Sequence, residues 1–503
     1  MNNNECALPR GKVLGGTSSI NFMIYNRGNR RDFDRWAEFG NPGWSYKDVL
    51  PYFKKSESAH LQGLENSPYH NRTGPLNVED VRYRTKAVHA YIRAAQEAGH
   101  KRTDYNGESQ MGVSYVQANT KNGLRQSAFR AFIEPIRHKR KNLHVVTMAR
   151  VTKVLIDKQT KQAYGVRMLY RNSLYTIKAR KEVILSAGAF NSPQILMLSG
   201  IGPEDNLKAI GVPIVKELPV GKRLYDHMSH FGPTFTTNST GNVISVSTVT
   251  PQQMVAFVGG NPATPVSSIG GVEALTFIKT PNSQEPRDMP DAEIIMVAGS
   301  LVSDEGTGLT EGANFKREIY NKVYKPLMRS RQDHFSFVVM HFHPKSVGRM
   351  WLHNRNPLEW PRINPKFFYN SEDVEYILHG IKEVVRISEM PAMQKLGVRL
   401  HEIPVPGCEM HPFASDDYWR CSIRTMSYTL HHQVATCRMG PEADKTTVVN
   451  AKLQVHGIGR LRVADTSIIP FPPTCHTNAA SFMIGEKAAD MIKENWLERG
   501  NSS

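Results

Sequence analysis

The 503 residues, 40% of them hydrophobic, suffice for two domains or one large composite domain with a sizeable core. No apolar run reaches the ~18 residues of a membrane span; the longest, at 335–340 and 294–298, are strand-sized. The net charge of +17 is spread along the chain, with small clusters at 27–31 and 137–141. Neither cluster is interleaved with aromatics or set in a nucleic-acid module, so the composition argues for a solvated basic surface that attracts anionic ligands, and against a nucleic-acid binder.

Residues 1–6 have no basic stretch followed by an apolar one, so the chain as written carries no export signal. The first informative segment is Gly11-Lys12-Val13-Leu14-Gly15-Gly16-Thr17-Ser18-Ser19-Ile20-Asn21. Gly15 and Gly16 let the backbone pass close to a phosphate or a ring edge without a Cβ clash. Thr17, Ser18, Ser19 and Asn21 add polar contacts; read alone, the stretch is also a plain Gly-Ser turn. Residues 30–55 hold Trp36, Trp44, Tyr46 and Phe53 around a turn at Asn41-Pro42-Gly43, and residues 84–98 read as a helix that Gly99 ends.

From 143 to 186 the pattern becomes that of strands, at 143–146, 151–156, 164–169, 174–177 and 182–185, a meander feeding one buried strand. Ser192 is the expected N-cap of a following helix, with Pro193 at its first position and Gly200 at its end. A short helix from Pro203 ends at Gly211. Residues 230–345 alternate strand-like runs with Ser/Thr/Gly/Pro-rich loops, as in a substrate-domain sheet. Within them His341 and His343 form an H-x-H pair on one strand face, which suits a metal, but no third ligand is evident. Residues 372–394 carry Val374, Ile377, Ile381, Val384 and Ile387 at helical spacing.

The five cysteines, Cys6, Cys408, Cys421, Cys437 and Cys475, are not spaced for zinc; Cys408 and Cys421 are close enough to bridge within one loop, and the odd count leaves at least one thiol unpaired. Sequons stand at Asn71, Asn238 and Asn501. Residues 461–463 form a buried strand ending at Asp465, where a carboxylate either accepts hydrogen bonds from ligand hydroxyls or closes a turn. Asn478 begins a last helix whose apolar positions recur every three to four residues through Trp496.

Four segments together resemble the glucose-methanol-choline oxidoreductases, the insect glucose-dehydrogenase-like branch most of all. They are 11–21, Gly188-Ala189-Phe190-Asn191-Ser192-Pro193 through Gly202, His432-Gln433-Val434-Ala435-Thr436-Cys437-Arg438-Met439-Gly440, and Val463-Ala464-Asp465-Thr466-Ser467 through Asn478. The likeness continues between them, as at 220–227. It implies an α/β fold: a three-layer Rossmann-like FAD-binding domain with a second, antiparallel-sheet-plus-helices substrate domain. The expected division is 1–142 (flavin loop and lid), 143–229 (FAD-binding), 230–440 (substrate-binding) and 441–503 (C-terminal FAD-binding).

The resemblance further implies oxidation of a CH–OH group in a sugar or other alcohol, with hydride passing to FAD and electrons to a quinone or similar acceptor. His432 is then the base, since a histidine titrates in the right range. Its neighbour His431 points elsewhere. Asn478 is expected to donate to the developing alkoxide as well as to cap its helix. Gly15, Gly16, Thr17, Ser18, Asn21 and Asp465 are expected to contact FAD, and Val151 to meet its adenine side through the backbone.

Departures from the family pattern are expected to matter. The G-x-G-x-x-G βαβ unit that precedes the glycine loop in relatives is missing, so the strand at 182–185 is expected to have an exposed edge and Cys6 to lack a partner. Ala435 replaces a glycine, and Thr474-Cys475-His476 stands where relatives show Ser-Gly-Asn, which gives His476 a chance to take over acid–base work. A flavin-deficient, inactive product of the same family is the competing expectation. The full-length product is expected to be extracellular.

Overall fold

The computed structural model describes residues 5–245, 249–330 and 332–497. Helix α1 (Arg30–Glu38) starts with a reciprocal capping box between Asn29 and Asp32, and α2 (Tyr46–Ser56) with one between Ser45 and Asp48. Their inner faces lock through aromatic rings, Phe33 on Trp36 at 4.9 Å and on Phe53 at 5.6 Å. Helix α3 (Lys86–Glu97) is capped by Thr85, and Gly99 at φ 98° turns the chain out of it. Strand β1 (Gly112–Tyr115) follows.

The meander comprises β2 (Ala149–Ile156), β3 (Ala163–Tyr170) and β4 (Ser173–Lys178), paired antiparallel in that order. Residues 143–146, expected as a strand, make no ladder; they are exposed or half-exposed, with no partner strand beside them. Strand β5 (Val183–Leu185) feeds α4 (Gly188–Leu198). That helix begins at Gly188, five residues before the expected Pro193, so Pro193 lies inside it. A proline there cannot donate to Ala189 O, and Thr436 Oγ1 donates to that carbonyl at 2.6 Å instead. Ser192, expected as the cap, uses its hydroxyl to accept from Ala187 N–H at 2.9 Å and to donate to Asp465 at 2.5 Å.

The large sheet is antiparallel and holds β1 together with β6 (Met228–Thr236), β7 (Val272–Ile278), β8 (Ala292–Val297), β9 (His334–His341), β10 (Arg399–Leu400) and β11 (Ser427–Thr429). Its order is β10-β6-β9-β8-β7-β1, with β11 also paired to β6. Strands β7 and β8 are buried along their whole length, as strands covered on both faces are. Helix α5 (Glu372–Ser388), α6 (Asp416–Met426) and α3 pack against this sheet, and a Cys408–Cys421 disulfide fastens the preceding loop to α6. Strand β12 (Leu461–Val463) pairs parallel with β5, and α7 (Thr477–Leu497) closes the described chain. Among the described residues no strand pairs with the other edge of β5, and its Ile184 is 41% exposed.

Two apolar cores result. One surrounds the large sheet with α3, α5 and α6. The other gathers α1, α2, the meander, α4, residues 434–469 and α7. Among the described residues no helix is long and apolar enough to cross a membrane.

Candidate active site

The chain passes from one core to the other immediately after β11, and His432 sits at that crossing. Two segments run side by side there: Tyr225 and Val434 exchange backbone hydrogen bonds, and Leu430 N–H donates to His227 O. Asp226 stitches them. Its carboxylate accepts from His432 N–H at 3.0 Å, from Gln433 Nε2 at 2.8 Å and from the Thr429 hydroxyl. Burial pushes the Asp226 carboxyl up to about 6, with those hydrogen bonds working the other way.

His432 is 7% exposed, and its Nδ1 lies 3.0 Å from Nδ1 of the fully buried His227. Burial first, and then the positive potential of His476, His227, His431 and Arg10, hold the His432 imidazole well below the usual histidine range, so it is neutral at pH 7. No hydrogen bond from the described residues reaches its Nε2. Facing it at right angles, with ring centroids 4.9 Å apart, is His476. His476 Nε2 lies 3.3 Å from Glu293 Oε1 on β8, and Glu293 Oε2 is buried with no partner.

Asn478, expected as both alkoxide donor and helix cap, lies one residue inside its helix. It lies in the first turn of α7, which begins at Thr477, and its Nδ2 donates to Asn119 Oδ1 at 2.8 Å. Position 476 thus meets His432, because two residues along the start of a helix turn a side chain by roughly 200°. His431, next to His432 in the chain, takes a left-handed backbone, φ 62°. Ala435 is also left-handed, at φ 70°, a conformation that favours the glycine for which it stands in.

The glycine loop is a 3₁₀ turn at Gly16–Ser19, with φ 91° at Gly15 and 57° at Gly16. A Cβ on Gly15 would stand 2.6 Å from Ser19 Oγ, whereas one on Gly16 would meet nothing within 4 Å. Gly16 is therefore the point where an outside group can lie on bare backbone. Much of the loop's polarity is turned inward: Ser18 Oγ donates to Gly15 O and accepts from Ala128 N–H, Thr17 Oγ1 accepts from Gly11 N–H, and Asn21 Oδ1 accepts from Met23 N–H and Arg125. Asp465 accepts from Gly188 N–H at 2.9 Å, Ser192 Oγ at 2.5 Å and Ser467 N–H at 2.8 Å, so it joins β12 to the start of α4. Val151 is half-buried on β2, at a bulge in its pairing with β3.

The H-x-H pair does not share a site. His341 stacks on Tyr376 at 4.1 Å and reaches Asp291 O, while His343, past the end of β9, lies between Asp32 and Glu285. Three participants escaped the sequence reading, namely Asp226, His227 and Glu293. The available signal for the last was a lone carboxylate in the apolar run Ala-Glu-Ile-Ile-Met-Val of β8.

Known proteins are similar to this chain over nearly all of its length. The N-terminal and C-terminal GMC oxidoreductase domains match residues 1–229 and 344–485. The chain belongs to the GMC oxidoreductase family. This GMC oxidoreductase is 38% identical over 497 residues to the glucose dehydrogenase (FAD, quinone) of Drosophila pseudoobscura pseudoobscura, spanning 98% of this chain and 75% of that one. It is 34% identical to the alcohol dehydrogenase (acceptor) of Pseudomonas putida, over 98% and 83% of the two chains. In structure it is similar to an Aspergillus oryzae RIB40 formate oxidase variant (TM-score 0.82, 26% identity, 97% and 85% covered). It is also similar to pyridoxine 4-oxidase from Mesorbium loti (TM-score 0.77, 25% identity, 96% and 84% covered). The chain shares its mixed α/β fold with these two solved structures.

Proposed function

We propose that this protein oxidises a CH–OH group of a sugar or other small alcohol with FAD as its cofactor, and that a quinone or similar acceptor removes the electrons. The observation that carries the reading is the buried, perpendicular His432–His476 pair, each ring tethered at one nitrogen and free at the other. Family membership and the FAD-dependent relatives support it.

The residues present fit a flavin. Gly16 offers open backbone in a conformation that L side chains rarely adopt, and Gly15, Thr17, Ser18 and Asn21 shape the turn around it. Asp465 keeps lone pairs beyond its three protein donors, and Val151 offers backbone on the meander. FAD, when bound, supplies the hydride acceptor.

The protein's own part is proton handling. For His432 Nε2 to hold a lone pair, its proton must sit on Nδ1 and be donated to His227 Nδ1, which makes His227 the tautomer lock. A neutral His432 then takes the hydroxyl proton at Nε2 as the C–H bond weakens. His476 is held through Nε2 by Glu293, and as the imidazolium it also has an Nδ1–H to donate to the alkoxide oxygen. We further propose an extracellular location, which the Cys408–Cys421 disulfide supports, since such bridges persist in oxidising compartments.

The deciding experiment is a visible absorption spectrum of the purified 503-residue chain after incubation with FAD and removal of the excess. It is followed by assay of D-glucose and a panel of primary alcohols with a dye-linked quinone analogue. Stoichiometric flavin that is bleached by one of these substrates is expected. A colourless protein would overturn the reading for this chain and establish the flavin-deficient alternative.

A further inference from the structure

His476 meets Glu293 at 3.3 Å, a long contact, so the angle of its ring depends on how its backbone is held. Two residues earlier, every polar group of Thr474 is engaged by residues from the other end of the chain. Its N–H donates to Asp32 Oδ2 at 2.8 Å, and its hydroxyl to the same oxygen at 2.6 Å. Its carbonyl accepts from Gln110 Nε2 at 2.7 Å. Cys475, between Thr474 and His476, is fully buried and packs on Gly28.

Asp32 is itself well anchored. It occupies the third position of α1, where the helix N-terminus favours a negative charge, and its Oδ2 also accepts from Asn29 N–H at 3.0 Å. Its other oxygen, Oδ1, lies 3.4 Å from His343 Nε2, and His343 Nδ1 lies 3.2 Å from Glu285, which also pairs with Arg35 of α1. One carboxylate thus ties α1, the end of the large sheet and the segment that enters α7. That segment has little other freedom, with Pro472 and Pro473 before it and the first turn of α7 after it.

We propose that Asp32 is the positioning residue for His476: its carboxylate, closed from the sheet side by His343, fixes residues 474–476 and so sets the angle at which the imidazole meets His432. The proposal rests on His476 being the second reactive histidine, so its test needs a readout that does not depend on turnover.

Cys475 supplies one. In Cys6→Ser protein the remaining free thiols, Cys437 and Cys475, are both buried. Labelling with 5,5′-dithiobis(2-nitrobenzoate) and peptide mass mapping reads each separately. In that background Asp32→Ala leaves the Thr474 N–H buried without its acceptor, and Thr474→Val removes the hydroxyl, which also accepts from Asn29 N–H at 2.7 Å, but leaves the Asn29–Asp32 capping box of α1 in place. Both are expected to speed labelling of Cys475 by about tenfold or more, with Cys437 unchanged, because local opening becomes easier. Thr474→Ser keeps the hydroxyl and is expected to label at the parental rate. On any substrate that the parent oxidises, kcat is expected to fall in the first two variants while KM holds.

Unchanged Cys475 labelling in both variants overturns the proposal. So does an equal rise at Cys437, which reports general loosening, or a freed Cys475 with unchanged kcat. If the parent oxidises nothing, the reading of the site fails while the labelling still tests the clamp.

Discussion

His432 and His343 show opposite outcomes of burying an imidazole. Around His432 the neighbours are other histidines and Arg10, so burial wins and the ring stays neutral. Replacing His432 by Ala is expected to lower kcat by about 10²–10⁴-fold, the usual worth of a positioned general base. Flavin absorbance should be retained, and an unchanged kcat would remove the base assignment. For His343, burial also pulls the affinity for a proton down, but hydrogen bonds and charge from Asp32 and Glu285 overcome it and raise the pKa to about 9. An imidazole free in the unfolded chain titrates near 6.5. The folded state therefore holds the extra proton more tightly, and the contribution is complete below about pH 6.5 and lost as pH rises through 9. Urea midpoints should fall across that window, and His343→Gln should flatten the decline. An equally steep decline in the variant would show that another group is responsible.

At the scale of elements, α4 shows why boundaries were harder to read than existence. The helix was legible from its apolar run, but its start was not, because Pro193 normally marks a first turn. Thr436, 243 positions further along the chain, supplies the hydrogen bond that the proline cannot. This compensation carries a testable coupling. Thr436→Val should cost about 1–3 kcal/mol by leaving Ala189 O buried and unpaired. In a Pro193→Ala background residue 193 regains an N–H, and the same change should cost much less. Equal costs in a double-mutant cycle would show that the two are independent. The helices at 86–97 and 372–388 and the β2–β4 meander were readable because their periodicity is local. The site was readable only where its motif is local. His432 stood out through the residues beside it, whereas Asp226, His227 and Glu293 join it by contacts between distant segments, and the turn into α7 that brings His476 onto His432 leaves no mark in the local spacing.

For the whole molecule, the basic excess of +17 gives a field that gathers anions. FAD association, followed by quenching of flavin fluorescence, should slow as ionic strength rises from about 0.01 to 0.15 M, where screening shortens from ~30 to ~8 Å. A rate indifferent to salt would mean that the charge lies away from the approach path. The site itself draws on both cores. His227 and His432 are 205 residues apart, Glu293 and His476 183 apart, and Asp32 and Thr474 442 apart. Contacts of such long sequence separation close late, after local helices and hairpins have formed. During refolding from urea, far-ultraviolet dichroism should recover first, and perpendicular histidines should come into register only when the two halves dock. The catalyst is thus the last thing this polypeptide makes of itself, and enzyme activity is the most stringent clock of its maturation.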